Sequence, residues 1–118
     1  MDFAALLKAI SEIDGDFIIR FMTSHPKDVS DELVRVIGES GGKIAPYFHL
    51  PLQSGSNSVL KAMNRTYDRD RFMMTVDKLR AAVPRIALSS DVIVGFPGET
   101  EEDFEDTLDV LRRVRFDI

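Results

Sequence analysis

Two kinds of hydrophobic pattern alternate along the chain, and that alternation limits its fold more than any other feature. Phe3, Leu6, Leu7, Ile10 and Ile13 recur near i, i+3, i+4, i+7 spacing, which predicts a helix over 2–13. Asp14-Gly15-Asp16 ends it. The short apolar run Phe17-Ile18-Ile19-Arg20-Phe21-Met22 then predicts a buried strand. Ser30 is placed to cap a second helix, with Asp31 and Glu32 in its first turn and Leu33, Val34, Val36 and Ile37 as its buried stripe. Ser40-Gly41-Gly42 stops it. A second strand is expected over about 47–52, followed by the loop Ser54-Gly55-Ser56-Asn57 and a short helix near Val59, Leu60 and Met63. Phe72, Val76, Leu79 and Val83 lie at i, i+4, i+7, i+11 in a longer helix from about Asp68, which Pro84 ends. Arg85 to Val94 is the expected third strand. Pro97-Gly98 makes a turn, and Thr100 with Asp103 opens a last helix whose inward residues are expected to be Phe104, Leu108, Leu111 and Val114. Phe116-Asp117-Ile118 reads as the start of a fourth strand.

The order is therefore α-β-α-β-α-β-α-(β). Strands joined through helices run parallel, with right-handed crossovers. The expected class is α/β. Three strands are too few to close a barrel. The reading is a partial (βα) TIM-like barrel, about half of one, with a small doubly wound sheet as the alternative. A first helix without a preceding strand and a last strand barely begun suggest a segment of a longer chain.

Composition narrows the function. The chain has 118 residues, 44% hydrophobic and 30% charged, as expected of one small globular domain. It has no apolar run long enough to span a membrane, and its N-terminus lacks the basic start of a signal peptide, so a cytoplasmic location is expected. The absence of cysteine excludes disulfides, thiolate nucleophiles and thiolate-held iron–sulfur clusters from this chain. A net charge of −5 gives no general grip on nucleic acid, so any such contact is local or supplied by other parts.

Ligands of parallel α/β proteins bind at the carboxyl ends of the strands. Three stretches lie there: Thr23-Ser24-His25, Gln53-Ser54-Gly55-Ser56 and Gly95-Phe96-Pro97-Gly98-Glu99-Thr100. Side chains two apart share a strand face. Tyr47, His49, Pro51 and Gln53 then share one face of the second strand, and Ala87, Ser89, Asp91 and Ile93 one face of the third. Interiors filled only for packing are mostly Val, Ile and Leu. Arg20, His49, Gln53, Ser89 and Asp91 therefore suggest a polar pocket; a structural Arg20–Asp91 ion pair, or solvated strand ends, fits the same residues. The glycine-containing loop before Thr100 suits a polar ligand at a helix N-terminus. It equally suits plain capping. The acidic run Glu101, Glu102, Asp103, Glu105 and Asp106 reads as a solvated helix start rather than a metal site.

Four stretches taken together carry a family resemblance. Arg20-Phe21-Met22-Thr23-Ser24-His25-Pro26, His49-Leu50-Pro51-Leu52-Gln53-Ser54-Gly55-Ser56, Leu60-Lys61-Ala62-Met63-Asn64-Arg65-Thr66-Tyr67 and Asp91-Val92-Ile93-Val94-Gly95-Phe96-Pro97-Gly98-Glu99-Thr100 occur in this order. They resemble the methylthiotransferases of the radical S-adenosylmethionine (SAM) superfamily over nearly the whole chain. The first two are most similar to the branch that converts N6-isopentenyladenosine in tRNA to its 2-methylthio form. Related branches act on threonylcarbamoyladenosine in tRNA and on a ribosomal protein.

The resemblance implies that residues 1–118 are the central part of a radical SAM partial barrel, about strands three to five. The cluster-binding, N-terminal and RNA-binding domains would lie outside it. It implies SAM and [4Fe-4S] clusters as cofactors of the parent, tRNA as its partner, and little activity of the segment alone. Gln53, Ser54, Asp91, Ile93, Gly95 and Phe96 match cofactor-binding places. Arg20, Ser24 and His25 match places where substrate or sulfur donor approaches. Readings of another class are a non-catalytic nucleotide-binding module and a half-barrel that pairs with its own copy through exposed strand edges.

Overall fold

The computed structural model of the chain describes residues 2–22 and 29–117. Five helices and two strands follow one another: α1 (Phe3–Ser11), α2 (Asp31–Glu39), β1 (Tyr47–His49), α3 (Asn57–Ala62), α4 (Arg69–Ala82), β2 (Ala87–Ser89) and α5 (Glu101–Val114). Each described helix opens on a short polar side chain that takes up a free backbone N–H of the first turn. Asp2 accepts from Ala5, Ser30 from Leu33, Ser56 from Val59, Asp68 from Arg71 and Thr100 from Asp103. In α5 the bond is reciprocal, because the Asp103 carboxylate accepts from the Thr100 N–H at 2.9 Å.

β1 and β2 are parallel, with Tyr47, Phe48 and His49 opposite Ala87, Leu88 and Ser89. The chain before β1 extends the arc on one side. Ile19 donates to Lys43 O (2.8 Å) and accepts from Ala45 N–H (2.9 Å), a parallel bridge to Ile44. Beyond β2, Asp117 N–H donates to Leu88 O at 2.8 Å. Each extended segment thus lies beside its successor. Among the described residues the order shows no reversal of the kind that defines a doubly wound sheet.

The helices form one layer, α1 against α2, α2 against α4 and α4 against α5. Between that layer and the sheet lies the core. Phe48, Leu50, Leu52 and Leu88 from the strands meet Leu33, Val34, Val36 and Ile37 of α2, Leu60 of α3, Phe72, Val76 and Leu79 of α4, and Val110 and Val114 of α5. Burying a side chain of this size contributes about 1.5–3 kcal/mol. The Cα trace measures 52 × 27 × 19 Å, thick enough for one sheet and one helix layer.

Three expectations are corrected. The run 17–22 is extended but pairs only at Ile19, since it has a neighbour on one side alone among the described residues. The second and third strands are three residues each rather than six to ten. The cause is a slip in register: β1 residues pair forty positions ahead, whereas Gln53 pairs with Val92. Pro51 brings no N–H to the ladder, and the Ser90 hydroxyl accepts from Leu52 N–H (2.8 Å) in place of a carbonyl. Gln53, at φ 68°, absorbs the extra residue. The third correction concerns α5, which buries Thr107, Val110 and Val114, while Phe104, Leu108 and Leu111 are only half-buried.

Candidate functional site

α5 is rotated by the way it meets the β1–α3 loop. A methyl on Gly55 would lie 2.5 Å from Asp106 O and 2.6 Å from Thr107 Cα, so only glycine allows this approach. The Gly55 N–H donates to Thr107 Oγ1 at 2.8 Å, and Ser54 Oγ lies 3.3 Å from the same oxygen. Ser54 also accepts from Ser56 N–H. Ser56 and Ser58 hydroxyls donate to Asp103 Oδ1 at 2.7 and 3.1 Å. These bonds, led by the backbone bond from Thr100, hold the Asp103 carboxyl down at about 2. Tyr67 Oη donates to Leu52 O (2.9 Å), and burial pushes its phenol above the ordinary range. The carboxyl end of β1 is therefore clamped from the helix side.

On the opposite face the alternation of β1 and β2 gathers polar groups. Tyr47 Oη lies 2.6 Å from Ser89 Oγ, which lies 2.7 Å from His49 Nδ1. His49 Nε2 lies 3.2 Å from Asp91 Oδ2. The string begins at half-buried Tyr47, passes through buried Ser89, and ends on a carboxylate whose side chain is 72% exposed. Among the described residues Asp91 pairs with His49 rather than with Arg20. Gln53 adjoins Asp91 through the backbone, its N–H donating to Asp91 O at 2.9 Å, and its carbonyl accepts from Ile93 N–H at 2.8 Å. Beyond β2, the bridge residue Val92 and the following Ile93 and Val94 are exposed apolar residues. Arg20 borders a separate cleft of about 200 Å³ with Phe21, Met22, Ala45 and Tyr47.

The loop after β2 uses its own polar groups. Gly95 N–H donates to Glu99 Oε1 at 2.6 Å, and Glu99 N–H to Phe96 O at 2.8 Å. Gly95 and Gly98 have φ of 73° and 90°, which favours glycine, and nothing stands where their Cβ atoms would be. The Gly95 amide is thus engaged within the loop. Glu99 Oε2 is buried without a hydrogen-bond partner among the described residues.

The structure brings Gln53, Asp91 and Ile93 to adjoining strand ends, with Gly95 and Phe96 in the loop just beyond. Ser54 is turned away: it is fully buried toward α5, because its hydroxyl is spent on Thr107 and Ser56. Ser24 and His25 lie outside the described residues. Sequence reasoning placed His49 and Ser89 on the inward face but gave Tyr47 no part in the site. The period-two signal that placed His49 also includes Tyr47. Thr107 left no such signal, since a threonine on an amphipathic helix reads as surface.

A family model described as the radical SAM superfamily matches residues 1–111. The chain belongs to the radical SAM superfamily. Among curated relatives of this radical SAM chain is a protein named tRNA-2-methylthio-N(6)-dimethylallyladenosine synthase from Alkaliphilus oremlandii, 56% identical over 117 residues, covering 99% of this chain and 25% of the relative. Proteins of the same name from Carboxydothermus hydrogenoformans and Thermoanaerobacter pseudethanolicus are 52% and 54% identical over 115 residues, covering 98% of this chain and 26% and 24% of themselves. The radical SAM chain thus spans about a quarter of the length of these relatives. No helix among the described residues is long and apolar enough to cross a membrane.

Proposed function

We propose that the chain is the central part of a radical SAM partial barrel, about its third to fifth strands, within an enzyme that methylthiolates C2 of an N6-modified adenosine in tRNA. The observation that carries this reading is the Tyr47–Ser89–His49–Asp91 string, which ends on an exposed carboxylate at the carboxyl ends of parallel strands. The successive pairing of strands under one helix layer supports an open barrel arc. The relatives' shared name supports the dimethylallyl-type substrate over threonylcarbamoyladenosine or a ribosomal protein.

The residues fit an adenosyl group. A carboxylate accepts two hydrogen bonds and so suits a ribose diol, and Asp91 has acceptor capacity left beyond its bond to His49. Gln53 stands beside it. Ile93, exposed and two positions along from Asp91, offers apolar surface to an adenine. With no cysteine in the chain, the [4Fe-4S] clusters belong to the rest of the protein. SAM bound with a reduced cluster supplies the radical chemistry. The share of these residues is to hold the ribose, orient the adenosyl group and exclude water. Recognition of tRNA falls to the remaining three quarters of the protein, and the setting is the cytoplasm. Alone, the chain is expected to be inactive.

Calorimetric titration of the full-length protein tests the reading. SAM and S-adenosylhomocysteine should bind more tightly than ATP, and Asp91→Ala should weaken both adenosyl ligands. Equal binding of ATP, or indifference to Asp91→Ala, would favour a non-catalytic nucleotide module instead.

A further inference from the structure

We infer that His49, backed by Ser89 and Tyr47, is a positioning residue that fixes the Asp91 carboxylate for a ribose diol. This rests on the adenosyl reading of the same face and assigns the groups that make it work.

The hydrogen bonds of the string constrain one another's protons. A carboxylate only accepts, so the ring nitrogen facing Asp91, Nε2, carries a proton. In a neutral imidazole Nδ1 is then an acceptor, and Ser89 is the hydroxyl placed to donate to it. Ser89 Oγ in turn accepts from the Tyr47 phenol. With the imidazole neutral, each proton along the string has one place, and the direction runs from Tyr47 toward Asp91. A chain of this kind polarises in one sense, so each bond strengthens the next.

Burial points the same way. Ser89 is 3% exposed and the His49 side chain 19%, against 72% for Asp91. A surface carboxylate of that exposure ordinarily samples several rotamers, and ordering it on binding opposes affinity. Here the imidazole orders it beforehand from one oxygen, Oδ2, and leaves Oδ1 free. A purely structural tie would not need its terminal group open to solvent. Nor would a face filled only for packing spend three buried or half-buried polar groups on it.

The experiment measures affinity of the full-length protein by calorimetry, with S-adenosylhomocysteine and with its 2′-deoxy analogue as probes. His49→Leu should weaken S-adenosylhomocysteine roughly 3- to 10-fold, the range set by ordering one side chain on binding. Ser89→Ala and Tyr47→Phe should weaken it less, and His49→Gln, which retains an N–H near Asp91, should restore part of the loss. All these losses should shrink with the 2′-deoxy probe, a difference that general misfolding would not produce. If Asp91→Asn weakens S-adenosylhomocysteine but His49→Leu does not, the positioning role is wrong while the adenosyl reading stands. If Asp91→Asn changes nothing, both are wrong. Equal losses for the two probes would also overturn the role. Should His49→Leu fail to fold, Ser89→Ala and Tyr47→Phe carry the same test.

Discussion

Replacing Thr107 by valine should destabilise the chain by about 2 kcal/mol, although the two side chains have nearly the same shape. The Thr107 hydroxyl is 1% exposed at the residue level and accepts the Gly55 N–H at 2.8 Å. Gly55 is itself buried, and a Cβ at its position would touch α5, so no water has room to replace the lost acceptor. Leaving one buried donor unpaired costs about 1–3 kcal/mol. Ser54 also loses its 3.3 Å partner, though its hydroxyl rotates and contributes less. Helix propensity differs little between threonine and valine, so nothing offsets the loss. With a urea m-value of about 1–3 kcal/mol/M for a small protein, the midpoint should fall by roughly 1 M. Thr107→Ser keeps the oxygen and removes a methyl group, at about 1 kcal/mol. The expected order of midpoints is therefore Thr, then Ser, then Val. A valine variant as stable as the serine one would refute the claim that Thr107 satisfies the Gly55 amide.

Gly55→Ala should be worse, on the order of 3 kcal/mol or more, because a methyl 2.5 Å from a helix carbonyl cannot be relieved by a rotamer change; a melting temperature within a degree of the parent would contradict the packing described. Asp103, held at about 2 against an ordinary 3.8, stabilises the fold in its ionised form. That contribution is fully present above about pH 4 and lost as pH falls through about 2. In acid titrations monitored by circular dichroism, Asp103→Asn should be less stable than the parent near neutrality, and the gap should close toward pH 2. A gap that stayed constant would exclude ionisation as its source. With the edge at Ile19 paired on one side among the described residues, the isolated chain is expected to self-associate, and a monomeric profile at high concentration in sedimentation would count against this.

Period, caps and turn chemistry were enough to read most of the secondary structure from the residues. Asp2, Ser30, Asp68 and Thr100 stand where helices open because a short oxygen-bearing side chain is the cheapest local answer to free N–H groups. That information lies within one turn of helix. The period of two likewise put His49, Ser89 and Asp91 on one face, since neighbouring strand positions alternate whatever lies beyond them. The tertiary structure alone decided the rest. The slip at Pro51 and Gln53 ends the regular pairing because Ser90, distant in the chain, supplies the missing acceptor. The approach of Gly55 to Thr107 turns Ser54 from the open face and rotates α5 away from its most apolar stripe. Both are contacts between residues some forty to fifty positions apart, and no local pattern encodes which backbone will arrive there.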